Sequence, residues 1–158
     1  MHIVCLVGVK ARDRRDAISQ LNNVLFSKGY VKESHLDEVL KREEIFPTGL
    51  RLEGDINVAL PHCDAEHVNE LSLAVGILEK SVDFKQMGSP PEANEYVPVK
   101  VVFLLACNEK DLLLPYLQEF VKLFRNVELM RNIAESGEPE RVEKLIRDFL
   151  VEESSAEG

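Results

Sequence analysis

At 158 residues, with 45% hydrophobic and 30% charged residues, the chain is long enough for one domain with a substantial core. A formal net charge of -9 argues against a nucleic-acid surface, which needs clustered Lys and Arg, and favours basic protein partners or plain solubility. Three widely spaced cysteines, no apolar stretch near the roughly 18 residues of a membrane span, and no leader-like cleavage site give the expectation of a cytoplasmic protein without disulfides or direct membrane insertion.

Ile3 to Val7 reads as an opening strand, and Arg12 to Gly29 as a helix whose buried stripe is Ile18, Leu21 and Leu25. A second helix begins at Ser34, carries Leu36, Val39 and Leu40, and stops at "PTG". The loop "FPTGLRLEGD" leads into "INVAL", an apolar, β-branched strand that ends at Pro61. "LSLAVGIL" from Leu71 reads as another strand, and Pro98 to Ala106 as a central strand covered on both faces; "KQMGSPPEANEY" between them is a polar loop.

From Lys110 the pattern turns helical, with Leu114, Leu117, Val121 and Phe124 on one face and Pro115 read as lying in the first turn. "VELMRNIAESG" adds a shorter helix, and Pro139 opens a last one with Val142, Leu145 and Phe149 on one face. Strands interleaved with helices predict an α/β domain with helices flanking a central sheet. The expected organisation is a single domain over 1–151 and a disordered tail over 152–158.

The stretch "NVALPHCDAEHV" then singles out His62, which follows a strand and a proline. Pro61 fixes its own φ and removes one backbone donor, so the residue behind it is aimed in a defined direction. A strand-end histidine with satisfied hydrogen bonds is one reading. A metal site built from His62, Cys63, Asp64 and His67 is a weak second, because no C-x-x-C or H-E-x-x-H spacing is present and residues 62 and 63 point in opposite directions in an extended chain. A Cys-His nucleophile pair is disfavoured for the same reason. The third reading is a neutral imidazole that attacks phosphorus itself, since the ordinary histidine pKa of about 6.5 leaves a ring lone pair free near pH 7.

"REEIFPTGL", "VALPHCDAEHV", "VDFKQMGSP" and "VVFLLA" before a helix resemble, in that order, the enzyme IIA components of the sugar phosphotransferase system, of the mannitol/fructose structural class. "FPTGL", the "PHxDAEHV" pattern and "MGSP" are most similar to the galactitol-specific branch. The resemblance implies a central mixed sheet flanked by helices and a phosphotransferase with a phosphohistidine intermediate. His62 would accept phosphate from phospho-HPr and donate it to a cysteine of the cognate IIB protein, for uptake of a galactitol-like polyol. Arg42 would neutralise the phosphoryl charge, and neither a metal nor an organic cofactor is expected. The alternative is a phosphorylation-dependent regulatory interaction module on the same fold.

Three further residues are candidates to stabilise the phosphoryl group. Thr48 and Gly49 lie in the loop expected to cover the pocket, where turn chemistry explains them equally well. His67 either approaches the pocket or serves the short turn it sits in. Glu43 reads as a solvated helix residue, and Cys63 as a packed, inert thiol. Mannitol-type members carry a second histidine, whose matching position here is Leu113.

Overall fold

Residues Tyr96–Ala106 form β4, whose last six residues, 101–106, are all apolar. Pleating sends alternate side chains to opposite faces, and both faces of β4 are covered. Val102, Leu104 and Ala106 enter one core cluster while Val101, Phe103 and Leu105 enter the other, which is why the sequence here is apolar without interruption. The computed structural model describes residues 1–157, with side chains as far as Glu152.

Around β4 the sheet is mixed, in the order β1 (His2–Val9), β3 (Ser72–Lys85), β4, β2 (Asn57–Ala59). β1 runs parallel to β3, β3 antiparallel to β4, and β2 parallel to β4. On one face pack α1 (Arg14–Ser27) and α2 (His35–Ile45), led by Ile18, Leu21 and Leu25. Gly76 permits that closeness, because a Cβ there would come 2.9 Å from Leu21 Cδ2. On the other face lie α3 (Lys110–Phe124), α4 (Val127–Glu135) and α5 (Pro139–Glu157), where Phe103 meets Phe124 and Phe120 at ring-centroid distances of 5.0 and 6.0 Å.

Two expectations from the sequence are corrected. β3 does not stop at Leu78: it passes the exposed Glu79, Lys80 and Ser81, shifts register between Ile77 and Val82, and continues its ladder with β4 to Lys85. Side-chain pattern misses this because the bulge interrupts the alternation while the backbone pairing resumes beyond it. Pro115 is not in the first turn of α3 but its sixth residue, on the exposed side, where the carbonyl left without a donor can face water. The tail expected over 152–158 falls at the end of α5, and Gly158 and the side chains beyond Glu152 lie outside the described residues.

For the site, the decisive element is the short β2. Leu50 and Val58 exchange backbone hydrogen bonds, and the Asn57 side chain accepts from the Leu52 N–H and donates to the Pro98 carbonyl. Beyond β2 the pairing persists for one more bond, Leu105 N–H to the Pro61 carbonyl at 3.2 Å. His62 emerges directly after this anchored stretch, at the carboxyl end of a parallel strand, a recurrent location for chemistry in open α/β sheets.

Candidate functional site

His62 is held by its own chain. Its Nδ1 lies 2.8 Å from the Leu60 carbonyl oxygen, which can only accept, so Nδ1 carries the proton and Nε2 carries the lone pair. The residue is 9% exposed, and it lines a cleft of about 470 Å³ with Arg42, Ile45, Phe46, Met87, Ser89 and Leu117 among its walls. Burial lowers the ring's pKa below its ordinary 6.5 and the Arg42 charge adds to that, against the opposing pull of the Leu60 hydrogen bond and Asp64. The ring is therefore neutral at pH 7.

Arg42 stands in the last turn of α2, where a cation also complements the helix dipole. Its guanidinium carbon lies 5.3 Å from the Phe46 ring centroid, and its buried Nε has no hydrogen-bond partner. Among the described residues no carboxylate pairs with it. An unpaired guanidinium beside a neutral, nucleophilic ring suits an electrophile that carries negative charge. Ile45, Phe46 and Met87 surround the opening as exposed apolar side chains.

Thr48 reaches the cleft wall, but its donors are engaged elsewhere. Its N–H donates to Glu43 Oε1 at 2.9 Å, its hydroxyl lies 3.0 Å from both Glu43 oxygens, and that hydroxyl accepts the Leu60 N–H at 3.1 Å. Gly49 likewise gives its N–H to the Lys85 carbonyl at 3.0 Å, and a Cβ there would sit 2.6 Å from that oxygen. Its own carbonyl accepts from Met87 N–H, so Gly49 fastens the 86–89 loop at the cleft. Neither residue offers a free loop donor of the kind read from the sequence.

Glu43 overturns another expectation: it is not a solvated helix residue but 4% exposed. Burial pushes its carboxyl up to about 7, against the lowering effect of the Thr48 backbone and side-chain hydrogen bonds and of Arg14, with Glu44 adding to the rise. Glu43 follows the buried Val39 by one turn of α2, but a hydrophobic period cannot mark a carboxylate as inward-facing, so its burial left no mark in the sequence.

His67 is not brought into the cleft. It closes a short 3₁₀ turn, Ala65–His67, and its Nδ1 lies 2.7 Å from Ser34 Oγ. Leu113, at the position where a second histidine was sought, packs against the core, and it is Leu117, one turn further along α3, that lines the cleft. Cys63 is buried with its thiol pushed up to about 12 by desolvation first and by the Asp64 charge next, which makes it unreactive beside His62. Among the described residues no helix is long and apolar enough to cross a membrane.

A mixed α/β sheet with helices on both faces, and a strand-end histidine paired with an arginine in one cleft, defines the class of this chain. Residues 3–149 match the family model described as "Phosphoenolpyruvate-dependent sugar phosphotransferase system, EIIA 2", and the chain belongs to that family. It is 30% identical over 79 residues to the galactitol-specific EIIA component of Escherichia coli strain K12, covering 50% of this chain and 52% of that protein. The matched part thus spans about half the length of this curated relative. Over 102 residues it is 28% identical to the transcriptional regulator ManR of Bacillus subtilis strain 168, covering 65% of this chain and 14% of the regulator. Its fold superimposes with a TM-score of 0.72 and 20% identity on the solved complex of mannitol enzyme IIA and phosphorylated enzyme IIB from Escherichia coli, covering 91% of this chain and 94% of that one.

Proposed function

We propose that this chain is a phosphoryl carrier of the sugar phosphotransferase system, with His62 as the residue that is phosphorylated. The His62 Nε2 lone pair attacks the phosphorus of phosphohistidine on HPr, forming one P–N bond as the donor's P–N bond breaks and the donor imidazole leaves. A cysteine thiolate of the cognate IIB protein then attacks the same phosphorus, forming a P–S bond and releasing the neutral His62 ring. Arg42 balances the phosphoryl charge in both steps. The observation that carries this reading is the tautomer: Nδ1 is committed to Leu60, so the remaining ring nitrogen is the nucleophile, and it lies in the cleft with Arg42.

Ile45, Phe46 and Met87 offer the apolar contact that successive partners would share, and the net charge of -9 favours a basic partner such as HPr. Resemblance to the galactitol-specific protein makes a galactitol-like polyol the proposed cargo, and the cytoplasm the proposed place of action. The test supplies phosphoenolpyruvate, enzyme I and HPr and reads the intact mass. One phosphate should add to the wild-type chain, be lost in acid, persist in base, and be absent in His62→Ala. A wild-type chain that gains no phosphate sinks the proposal.

The similarity to a transcriptional regulator favours a second reading, in which phosphorylation of the same histidine changes binding to a regulatory partner. Delivery of the phosphate to a IIB cysteine separates the two, because a carrier passes it on and a sensor keeps it.

A further inference from the structure

The proposed transfer chemistry leaves Glu43 without a part, although its carboxylate is the most deeply buried acidic group beside the site. It is absent from the cleft wall and faces Thr48 instead. Burying a carboxylate is unfavourable unless its oxygens are satisfied, and here Thr48 supplies both of its donors. With its proton directed at Glu43, the Thr48 hydroxyl presents a lone pair to the Leu60 N–H at 3.1 Å. The carbonyl of that same Leu60 receives Nδ1–H of His62 at 2.8 Å. Leu60 is thereby gripped on both sides, by the hydroxyl at its nitrogen and by the imidazole at its oxygen.

We infer that Glu43 is a positioning residue: through Thr48 and the Leu60 backbone it holds the carbonyl that keeps His62 in its Nδ1–H tautomer, with Nε2 turned to the cleft. The consequence for transfer rests on the carrier reading above; the consequence for the ring does not. The two carboxylate oxygens share the two Thr48 donors, with the hydroxyl 3.0 Å from each. A glutamine keeps one uncharged oxygen for both donors and sets an NH2, itself a donor, where the second carboxylate oxygen met the hydroxyl, so the hold on Thr48 weakens. Thr48→Val keeps the shape but removes the hydroxyl from both Glu43 and the Leu60 N–H, whereas Thr48→Ser retains it.

The test compares Glu43→Gln, Thr48→Val and Thr48→Ser with the wild type at a pH well above 7, where Glu43 is the carboxylate. The ¹⁵N shifts of the His62 ring report its tautomer, and hydrogen exchange of the Leu60 amide reports the grip. Chain fold is checked by the dispersion of the same spectra. In Glu43→Gln and Thr48→Val the Nε2–H tautomer should gain population, the Leu60 amide should exchange at least tenfold faster, and phosphoryl acceptance should slow about tenfold at saturating phospho-HPr. Thr48→Ser should stay near wild type in all three, which a general loss of stability could not arrange. Unchanged ring shifts and Leu60 exchange in folded Glu43→Gln and Thr48→Val overturn the inference. A wild-type chain that shows the Nδ1–H tautomer yet accepts no phosphate overturns the carrier reading alone.

Discussion

His35 and His62 have the same bonding pattern and different prospects. Each ring directs Nδ1 at an oxygen, Asn22 Oδ1 at 2.6 Å for His35 and the Leu60 carbonyl at 2.8 Å for His62, which leaves Nε2 as the lone-pair nitrogen in both. Desolvation lowers the pKa of both, that of His35 to about 4. The difference lies at Nε2. In His35, 0% exposed, that nitrogen is sealed in the interface of α1 and α2 without a partner, whereas His62 lines an open cleft together with Arg42, whose guanidinium pairs with no carboxylate among the described residues. Burial and a depressed pKa are therefore common to both rings. Access and a nearby cation are what set His62 apart as the proposed nucleophile.

The contrast breaks most visibly if the wrong histidine is labelled. Phosphoryl acceptance should vanish in His62→Ala and persist in a folded His35→Gln, with the adduct mapped by mass spectrometry; a phosphate found on His35 would end the comparison. Next in size is the cation. Arg42→Gln should slow phosphoryl acceptance about a hundredfold, the scale of losing a preorganised group that stabilises developing charge, with Arg42→Lys recovering part of it. A rate within twofold of wild type in Arg42→Gln would mean that access alone distinguishes the two rings.

Stability against pH separates the two ends of α2. Between 4.5 and about 7 the folded chain holds a proton on Glu43 that the unfolded chain has released, so this group's contribution is complete below 4.5 and is lost as pH rises to about 7. The span is on the order of 3 kcal/mol. Arg14 and Glu44 act on the same carboxyl in opposite senses, the first lowering and the second raising its pKa, and Glu43→Gln should remove the slope. His35 acts in the opposite sense: between about 4 and 6.5 the unfolded chain binds a proton that the folded chain refuses, so stability falls as the solution is acidified. Urea titrations of Glu43→Gln and His35→Gln at several pH values check both signs.

Gly49→Ala sharpens the role of the loop, since its Cβ would meet the Lys85 carbonyl oxygen at 2.6 Å; a loss of about 2 kcal/mol in chemical denaturation is expected. The smallest effect is the titration of the His62 ring. Its NMR midpoint should fall below 6.5 and rise in Arg42→Gln, and the rate of phosphoryl acceptance should climb with pH through that midpoint and level off above it.

The candidate site was legible where the sequence acts locally. Pro61 behind β2 and the aimed His62 follow from chain stiffness, and Arg42 from its place in a recognisable motif. Thr48 and Gly49 were left open between phosphoryl contact and turn chemistry, because the hydrogen-bond partners that engage their donors, five residues back at Glu43 and well ahead at Lys85, leave no local mark. His67 shows the same limit: nearness to His62 in sequence says nothing of the Ser34 hydroxyl that occupies it.

What the sequence determined by itself was the set of elements and their buried stripes, since hydrophobic period depends on neighbouring residues alone, as in the unbroken run of β4 and the Ile18, Leu21 and Leu25 face of α1. Tertiary structure alone decided the strand order, the register past the β3 bulge, and which charges lie inside. Glu43 and Arg42 are adjacent in one helix, yet the turn of that helix aims one at Thr48 and the other into the cleft, and only the packed loop and sheet around them settle which charge is buried and which is left to meet a ligand.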